Sequence, residues 1–381
     1  MNTSLETTSK LPTLSISGTT SCTQDKQQQT KNLEDEQQSE QLTKDLLNRL
    51  DRANTLAKDD KILLAAHVLQ GINGVHLQPV HHDILKEAAI LKRLLKDNTT
   101  NIDESDNNNS DWIKQGNHLG KHNFSIYYKL LNNNQELSCR LDTIIPHTLL
   151  VPILSVLNES ELYQTWLPCW SVPKLKVVKS EKLRQTGRCS QVVNVETEVP
   201  WPLSSRQVIL KAVACDNIDS YSKEDDDEAS SANKTECLGK DGGRIIIRLQ
   251  SLDCDDNIQE GLDVPPAKTG TVRMRVAGSF TIEKCPETHP SLKAESSEED
   301  LVLITFTFIV DPQLAIIPKQ FINFFLRTAI GTMWNMFLNI AEGVKDGKHP
   351  EHSKAIKEKR GLYEWIQERT RVMLGQSQTS S

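Results

Sequence analysis

The sequence predicts an α+β domain in which a meandering antiparallel sheet packs against one long C-terminal helix. Strand patterns recur from about residue 119 to residue 310, with turn segments between them. Pro318, which suits the first turn of a helix, is then followed by 26 residues without proline. This segment, 318–344, is apolar almost all round, so the helix must be buried on more than one side. The sheet can cover one side, and protein or a ligand must cover the other.

Turn chemistry separates the strands in the way that is typical of antiparallel sheets. Phe124 to Leu131 and Leu137 to Ile145 flank the run 132–134, which is all Asn and predicts a hairpin. Short helices are expected over 147–166. Further strands are expected at roughly 174–186, 189–199, 206–215, 244–252, 270–283 and 301–310.

The composition of the chain changes several times along its length. Residues 1–40 are rich in Ser, Thr and Gln, which favours disorder. Leucines at helical spacings from residue 41 predict helices that break at Gly71 and Gly74, and an Asn- and Asp-rich run follows. We therefore expect a disordered tail (1–40), a helical hairpin (41–98), a linker (99–118), the main domain (119–345) with an acidic insertion (219–242), and a charged C-terminal helix and tail (346–381).

Composition and charge narrow the function classes. The net charge is −7, which argues against a nucleic-acid surface. Polar residues such as Asn323 and Arg327 interrupt the long helix and disfavour a membrane span. Residues 1–30 lack the apolar core of a signal peptide. The eight cysteines form no C-x-x-C pair, which indicates free thiols in the reducing cytoplasm.

The sequence contains no catalytic or cofactor signature. It has no G-x-S-x-G, H-E-x-x-H, P-loop or dinucleotide-binding pattern. His349 and His352 lie in a charged stretch, and nothing orients Cys169 and His147 as a nucleophile and its base. We therefore expect no catalytic residue, no metal and no cofactor.

Four sequence features resemble the START (steroidogenic acute regulatory-related lipid transfer) family and occur in its order. They are Trp166 after the short helices, the proline-rich stretch 200–207, the strand entry 265–273, and the run 301–323 with its two X-Pro turns. The resemblance covers roughly residues 119–345, and Gln207 stands where the family commonly has Asp. It implies a helix-grip fold, a curved antiparallel sheet wrapped around the long C-terminal helix and a lipid cavity, here preceded by the helical hairpin.

The resemblance also implies candidate ligand-binding residues. The family's arginine that matches Arg273 lines the cavity and often faces an acid, whose position falls near Val193 in this chain. A polar or anionic lipid headgroup, or water, would then partner Arg273. The alternative is an exposed charged face of one strand, in which Arg273 and Arg275 pair with Glu196 and Glu198. The candidates are Arg273, Arg275, Trp201, Phe306, Phe308, Phe321, Phe325, Met333 and Trp334, and core packing is the alternative for each aromatic residue.

A lipid tail enclosed between sheet and helix would bind without catalysis, because each methylene group removed from water contributes about 0.8 kcal/mol. We therefore expect a cytoplasmic lipid-binding or lipid-transfer protein that holds one lipid, a sterol, phospholipid or sphingolipid, and contacts membranes transiently. The terminal helix and the loop 253–268 are candidate gates, and the hairpin is a candidate surface for a protein partner. Two alternatives stay open: a helix-grip enzyme of the cyclase or hydrolase type, and a scaffold with a closed core.

Overall fold

The computed structural model describes residues 21–97, 112–118, 123–133, 135–171, 174–201, 203–218, 243–253, 264–287, 289, 300–313 and 329–376. The chain divides into two units, Met1–Asp51 and Arg52–Ser381. Helix α1 (Ser21–Lys58) begins in the first unit and ends in the second. The other helices are α2 (Ile62–Leu69), α3 (Pro79–Asp97), α4 (Leu150–Asn158), α5 (Tyr163–Trp166), α6 (Gly331–Lys345), α7 (Pro350–Glu358) and α8 (Arg360–Met373).

The second unit is built on one curved, open sheet. Its strands are β1 (Ile113–His118), β2 (Phe124–Leu131), β3 (Glu136–Pro146), β4 (Cys169–Ser171), β5 (Lys174–Gln185), β6 (Gln191–Glu198), β7 (Ser205–Asp216), β8 (Arg244–Ser251), β9 (Thr271–Arg273), β10 (Arg275–Lys284) and β11 (Leu301–Asp311). They lie in the order β1-β2-β3-β11-β10-β8-β7-β6-β5-β4, with antiparallel neighbours. The short β9 lies off this path and pairs in parallel with β7.

Helix α6 packs on one face of this sheet through aromatic rings. Phe280 of β10 and Phe306 of β11 are cross-strand partners whose ring centroids lie 4.0 Å apart. The ring of Trp334 on α6 is stacked against both phenylalanine rings, and its centroid lies 6.4 Å from the centroid of each. We call this face of the sheet the inner face and the opposite one the outer face. A curved antiparallel sheet that packs on a C-terminal helix confirms the predicted helix-grip architecture.

Helices α2 and α3 pack together and cover part of the outer face. Arg248 of β8 follows the inward-facing Ile247, so it points to the outer side. There its guanidinium pairs with Glu87 of α3 at 2.9 Å. Arg244 donates a hydrogen bond to the Leu95 carbonyl oxygen of the same helix at 3.1 Å. The sheet therefore has helices on both faces.

Most predicted strands agree with the observed ones to within two residues. Strands β2 and β3 form the predicted hairpin, and Asn132 and Asn133 in its turn adopt φ angles of 50° and 54°. Asparagine tolerates this left-handed region better than most residues. Strands β5, β6, β7, β8 and β11 also lie where the pattern places them.

Two strands depart from the sequence interpretation. Strand β1 lies inside the predicted linker 99–118. Its sequence, Ile-Lys-Gln-Gly-Asn-His, lacks apolar alternation, and pairing with β2 makes it a strand. The single strand expected over 270–283 is two strands, because β9 pairs with β7 and Met274 donates its N–H to the Gln207 carbonyl oxygen at 2.9 Å.

The helical segments also differ from expectation. Residues 21–40, expected to be disordered, lie in α1, since Gln, Glu and Lys have good helix propensity even without an apolar stripe. The charged C-terminal helix expected within 346–381 is two helices, α7 and α8, joined at Lys359. The acidic insertion 219–242 and the first part of the predicted helix, 318–328, lie outside the described residues.

Candidate functional site

Three of the candidate residues meet in an aromatic layer between α6 and the inner face. Phe306 and Phe308 stack with centroids 4.6 Å apart, and Trp334 lies over Phe306. Phe337, one turn further along α6, places its ring 5.2 Å from that of Trp334. Phe308 and Trp334 are buried and Phe306 is half-buried. These rings pack between α6 and the sheet.

The remaining apolar candidates do not belong to this layer of rings. Met333 is half-buried. It directly precedes Trp334, so its side chain points about 100° away from that of Trp334 around the helix axis. Trp201 lies in the turn between β6 and β7, where 90% of its surface is exposed. Phe321 and Phe325 lie outside the described residues.

The two candidate arginines lie in different strands rather than on one face of a single strand. Arg273 ends β9 beside Gln207 of β7, and it donates to the side-chain oxygen of Gln207 at 2.9 Å. Successive side chains of a strand point to opposite faces of the sheet. Gln207 lies an odd number of residues before the inward-facing Ala212 of β7, so its contact with Arg273 lies on the outer face. Arg275 begins β10, and its largely exposed side chain pairs with Asp253 at 3.2 Å.

The acids expected near Arg273 have other cationic partners. Glu196 pairs with Lys268 at 2.7 Å, and Glu198 pairs with Lys174 at 3.1 Å. Gln207, at the position where an Asp was expected, also donates to Asn194 at 3.0 Å. A neutral amide, that of Gln207, therefore contacts Arg273 on the outer face.

A pocket of about 80 Å³ lies between the inner face, α4 and α8. Its floor is formed by Ala212 and Ala214 of β7, beside the isoleucines of β8, and Trp365 and Ile366 of α8 line its opposite side. An apolar cavity of about 150 Å³ holds a benzene-sized molecule. While α8 is in place, the pocket therefore has room only for the end of a hydrocarbon chain.

The polar side chains at the rim of this pocket bind one another. Arg369 of α8 donates from Nε to Asp216 at 2.8 Å, and its Nη2 contacts the second carboxylate oxygen. Gln191 donates to the Asn158 carbonyl oxygen at 3.0 Å and accepts from Ser160 at 3.1 Å. Because these groups have partners, the interior of the pocket suits an apolar occupant.

Helix α8 is also fastened at its start, around the buried Glu159. Tyr363 donates from its hydroxyl and Lys359 from Nζ to the two carboxylate oxygens, each at 2.5 Å. Burial raises the pKa of Glu159, but the hydrogen bonds from Lys359 and Tyr363 outweigh it and hold the pKa below its usual value. Burial, together with the Glu159 charge, raises the pKa of Tyr363. The carboxylate is therefore ionised at neutral pH and anchors α8.

Solved structures that are similar to this chain include human STARD10 and two proteins named as StAR-related lipid transfer proteins. Human STARD10 is 16% identical over 64% of this chain and 78% of that chain, with a TM-score of 0.39. A STAR-related lipid transfer protein fragment from Xanthomonas axonopodis is 17% identical over 61% of this chain and 99% of that one, with a TM-score of 0.38. Human StAR-related lipid transfer protein 5 is 12% identical over 68% and 98%, with a TM-score of 0.38.

The chain resembles START domains. The likeness concerns the fold and extends to no ligand. No family model matches the chain, and no curated protein matches it.

The pocket under α8 could not be found from the sequence. A charged C-terminal helix was expected within 346–381, but nothing in the sequence indicated the floor residues Ala212 and Ala214. Alanine in a strand carries no chemical signal, and the position of α8 depends on the distant partners Glu159 and Asp216.

Asp60 is a second missed residue of the START-like domain. It lies in the turn before α2 with φ at 61°, and its carboxylate accepts hydrogen bonds from Ser190 Oγ at 2.6 Å and Ser190 N at 3.1 Å. Gly187 lies so close to Asp60 that a side chain there would collide with the carboxylate. Burial raises the pKa of Asp60 to about 6, although the hydrogen bonds from Ser190 and Cys189 lower it in part.

The raised pKa of Asp60 predicts a pH-dependent stability. The folded state binds this proton more tightly than the unfolded chain, so the stabilisation is complete below about pH 4 and is lost as the pH rises through about 6. We expect the free energy of unfolding of the wild type, relative to Asp60→Asn, to fall by about 2–3 kcal/mol across this window. Urea unfolding of both proteins from acid to neutral pH measures it. A difference that does not vary with pH contradicts the assignment.

In the described part of the START-like domain, no group of three His, Cys, Asp or Glu residues is placed to hold a metal ion. Cys139, Cys169, Cys189, Cys215 and Cys285 are free thiols. Among the helices that the structure describes, none is long and apolar enough to cross a membrane.

Proposed function

We propose that this protein binds one lipid molecule on the inner face of its START-like domain, beneath α8, and carries it between membranes of the cytoplasm. The observation that carries the proposal is the apolar pocket under α8, with a floor of small residues and a rim whose polar groups are already paired. Such a pocket favours a hydrocarbon chain over a polar ligand.

Helix α8 is the gate in this proposal, whereas the sequence indicated the long helix at 318–344 and the loop 253–268 as candidate gates. A whole lipid tail needs more room than the present pocket, so Trp365 and Ile366 must move away from Ala212 and Ala214 when it enters. The lipid then restores the apolar contact that α8 gives up, at about 0.8 kcal/mol for each buried methylene group. The described end of the loop 253–268 packs through Val264 on the outer face, away from this pocket.

Trp201 supports the proposed contact with membranes. It is 90% exposed in a turn that begins with Pro200, so the indole extends from a restrained backbone. Tryptophan prefers the boundary between water and lipid, because its ring is apolar and its N–H is polar.

The helical hairpin is the proposed surface for a protein partner. Val75, in the loop of the hairpin, is 87% exposed.

The proposal predicts that Trp201→Ala slows the transfer of a fluorescent phospholipid from donor to acceptor vesicles by about tenfold, because the interfacial anchor is lost. Val75→Ala removes an equally exposed apolar side chain elsewhere and should leave the rate unchanged. Stopped-flow loss of energy transfer between donor and quencher lipids measures the rates. Transfer that is absent in the wild type, or equally fast in Trp201→Ala, overturns the membrane step.

A further inference from the structure

Two buried tryptophans have indole N–H groups for which the described part of the chain provides no acceptor. Trp334 on α6 is 5% exposed and Trp166 at the end of α5 is 8% exposed. In the part of the chain that the structure describes, Nε1 of neither ring has a hydrogen-bond acceptor. The two rings belong to one cluster, because Phe337 lies 5.2 Å from Trp334 and 5.8 Å from Trp166.

An unpaired donor in such a place is costly. A buried N–H without an acceptor loses its hydrogen bond to water, at about 1–3 kcal/mol. Most buried polar groups in proteins are paired for this reason, and each exception calls for an explanation. Phenylalanine would fill most of the same space without this cost, so two orphan indoles in one layer indicate an acceptor that comes from a ligand.

The surroundings restrict what that acceptor can be. Among the residues that the structure describes, the aromatic neighbours of Trp334 are Phe280, Phe306 and Phe337, and these rings carry no positive charge. The carboxylate or phosphate of a lipid would be buried there without a counter-charge, which is strongly unfavourable. A plain hydrocarbon would leave the N–H groups unpaired. A neutral oxygen inside an otherwise apolar molecule meets both conditions.

We propose that Trp334 Nε1, with Trp166 Nε1 as a second donor, binds a carbonyl oxygen of the lipid and so selects ester- or ketone-bearing lipids over hydrocarbons. This inference rests on the proposed function, since it needs a lipid on the inner face. In this proposal the two indole N–H groups determine which lipid is bound, whereas burial of the lipid's hydrocarbon tail contributes most of the binding free energy.

Two probes of equal chain length test the inference: the methyl ester of a long-chain fatty acid and the matching alkane, both delivered from cyclodextrin to the full-length protein and measured by calorimetric titration. Trp334→Phe keeps an aromatic ring and removes the N–H. We expect it to weaken ester binding about fivefold, the value of one neutral hydrogen bond, and to leave alkane binding unchanged. The melting temperature should hold or rise. Trp170→Phe, which changes an indole of β4 at the edge of the sheet, should leave the binding of both probes unchanged.

The outcomes separate this inference from the proposed function. An equal loss for both probes means that Trp334 acts only through its shape, and it overturns the inference. A raised melting temperature with an unchanged ester preference assigns the N–H groups to buried water and overturns it as well. If the wild type binds neither probe, the proposed function itself fails.

Discussion

Replacing Asp216 by alanine is expected to lower the free energy of unfolding by about 3–5 kcal/mol, the usual cost of removing one partner of a buried ion pair. Asp216 at the end of β7 and Arg369 on α8 contact one another through two pairs of atoms, and each side chain is only 12% exposed. The variant leaves the guanidinium beneath α8 without this carboxylate. The effect should therefore appear as a release of α8 from the inner face.

An exposed ion pair of the same helix provides the control. Arg360 and Glu364 pair at 2.6 Å, but their side chains are 81% and 57% exposed. Glu364→Ala should leave the stability nearly unchanged, because solvent screens such pairs. Urea unfolding measures both variants, and protease cleavage near α8 reports its release. If Asp216→Ala and Glu364→Ala destabilise the protein equally, the pair under α8 does not fasten it.

Replacing Ala214 by leucine is expected to weaken lipid binding by about tenfold or more, while the fold is kept. The longer side chain extends into the pocket of about 80 Å³ and takes the place of roughly two methylene groups of a lipid tail, each worth about 0.8 kcal/mol. Filling a cavity commonly leaves stability unchanged or raises it by about 1 kcal/mol. A loss of binding at constant stability separates occupancy of the pocket from damage to the core.

The same substitution on the other face of the sheet is the matched control. Ala277 of β10 is half-buried and alternates with the inward-facing Phe280, so it points outward. Ala277→Leu should leave lipid affinity unchanged. Displacement of a fluorescent fatty acyl probe measures the affinity of both variants. Equal affinities of Ala214→Leu and the wild type would place the lipid elsewhere.

The fold could be predicted because its signals are local. The apolar run of β11, the asparagine turn between β2 and β3, and the all-round apolar helix each follow from neighbouring residues. Strand β1 could not be predicted in this way, because its polar sequence forms a strand only through pairing with β2. Sequence reasoning therefore found the architecture and missed an edge that depends on tertiary contact.

The site was less predictable because it depends on contacts between distant segments. Phe306, Phe308 and Trp334 were singled out and do meet in one layer. Arg273 was predicted either to face a cavity or to pair with Glu196 and Glu198 on an exposed face. The turn of β9 towards β7 instead places its contact with Gln207 on the outer face. No local pattern reveals that turn.

The central claim is that a lipid occupies the inner face beneath α8. Native mass spectrometry of the gently purified full-length protein tests it most directly, followed by extraction and identification of what is bound. We expect one lipid with a neutral carbonyl group per wild-type chain, reduced occupancy in Ala214→Leu, and full occupancy in Ala277→Leu. A wild-type protein that never carries a lipid, or an Ala214→Leu variant as fully loaded as the wild type, would contradict it.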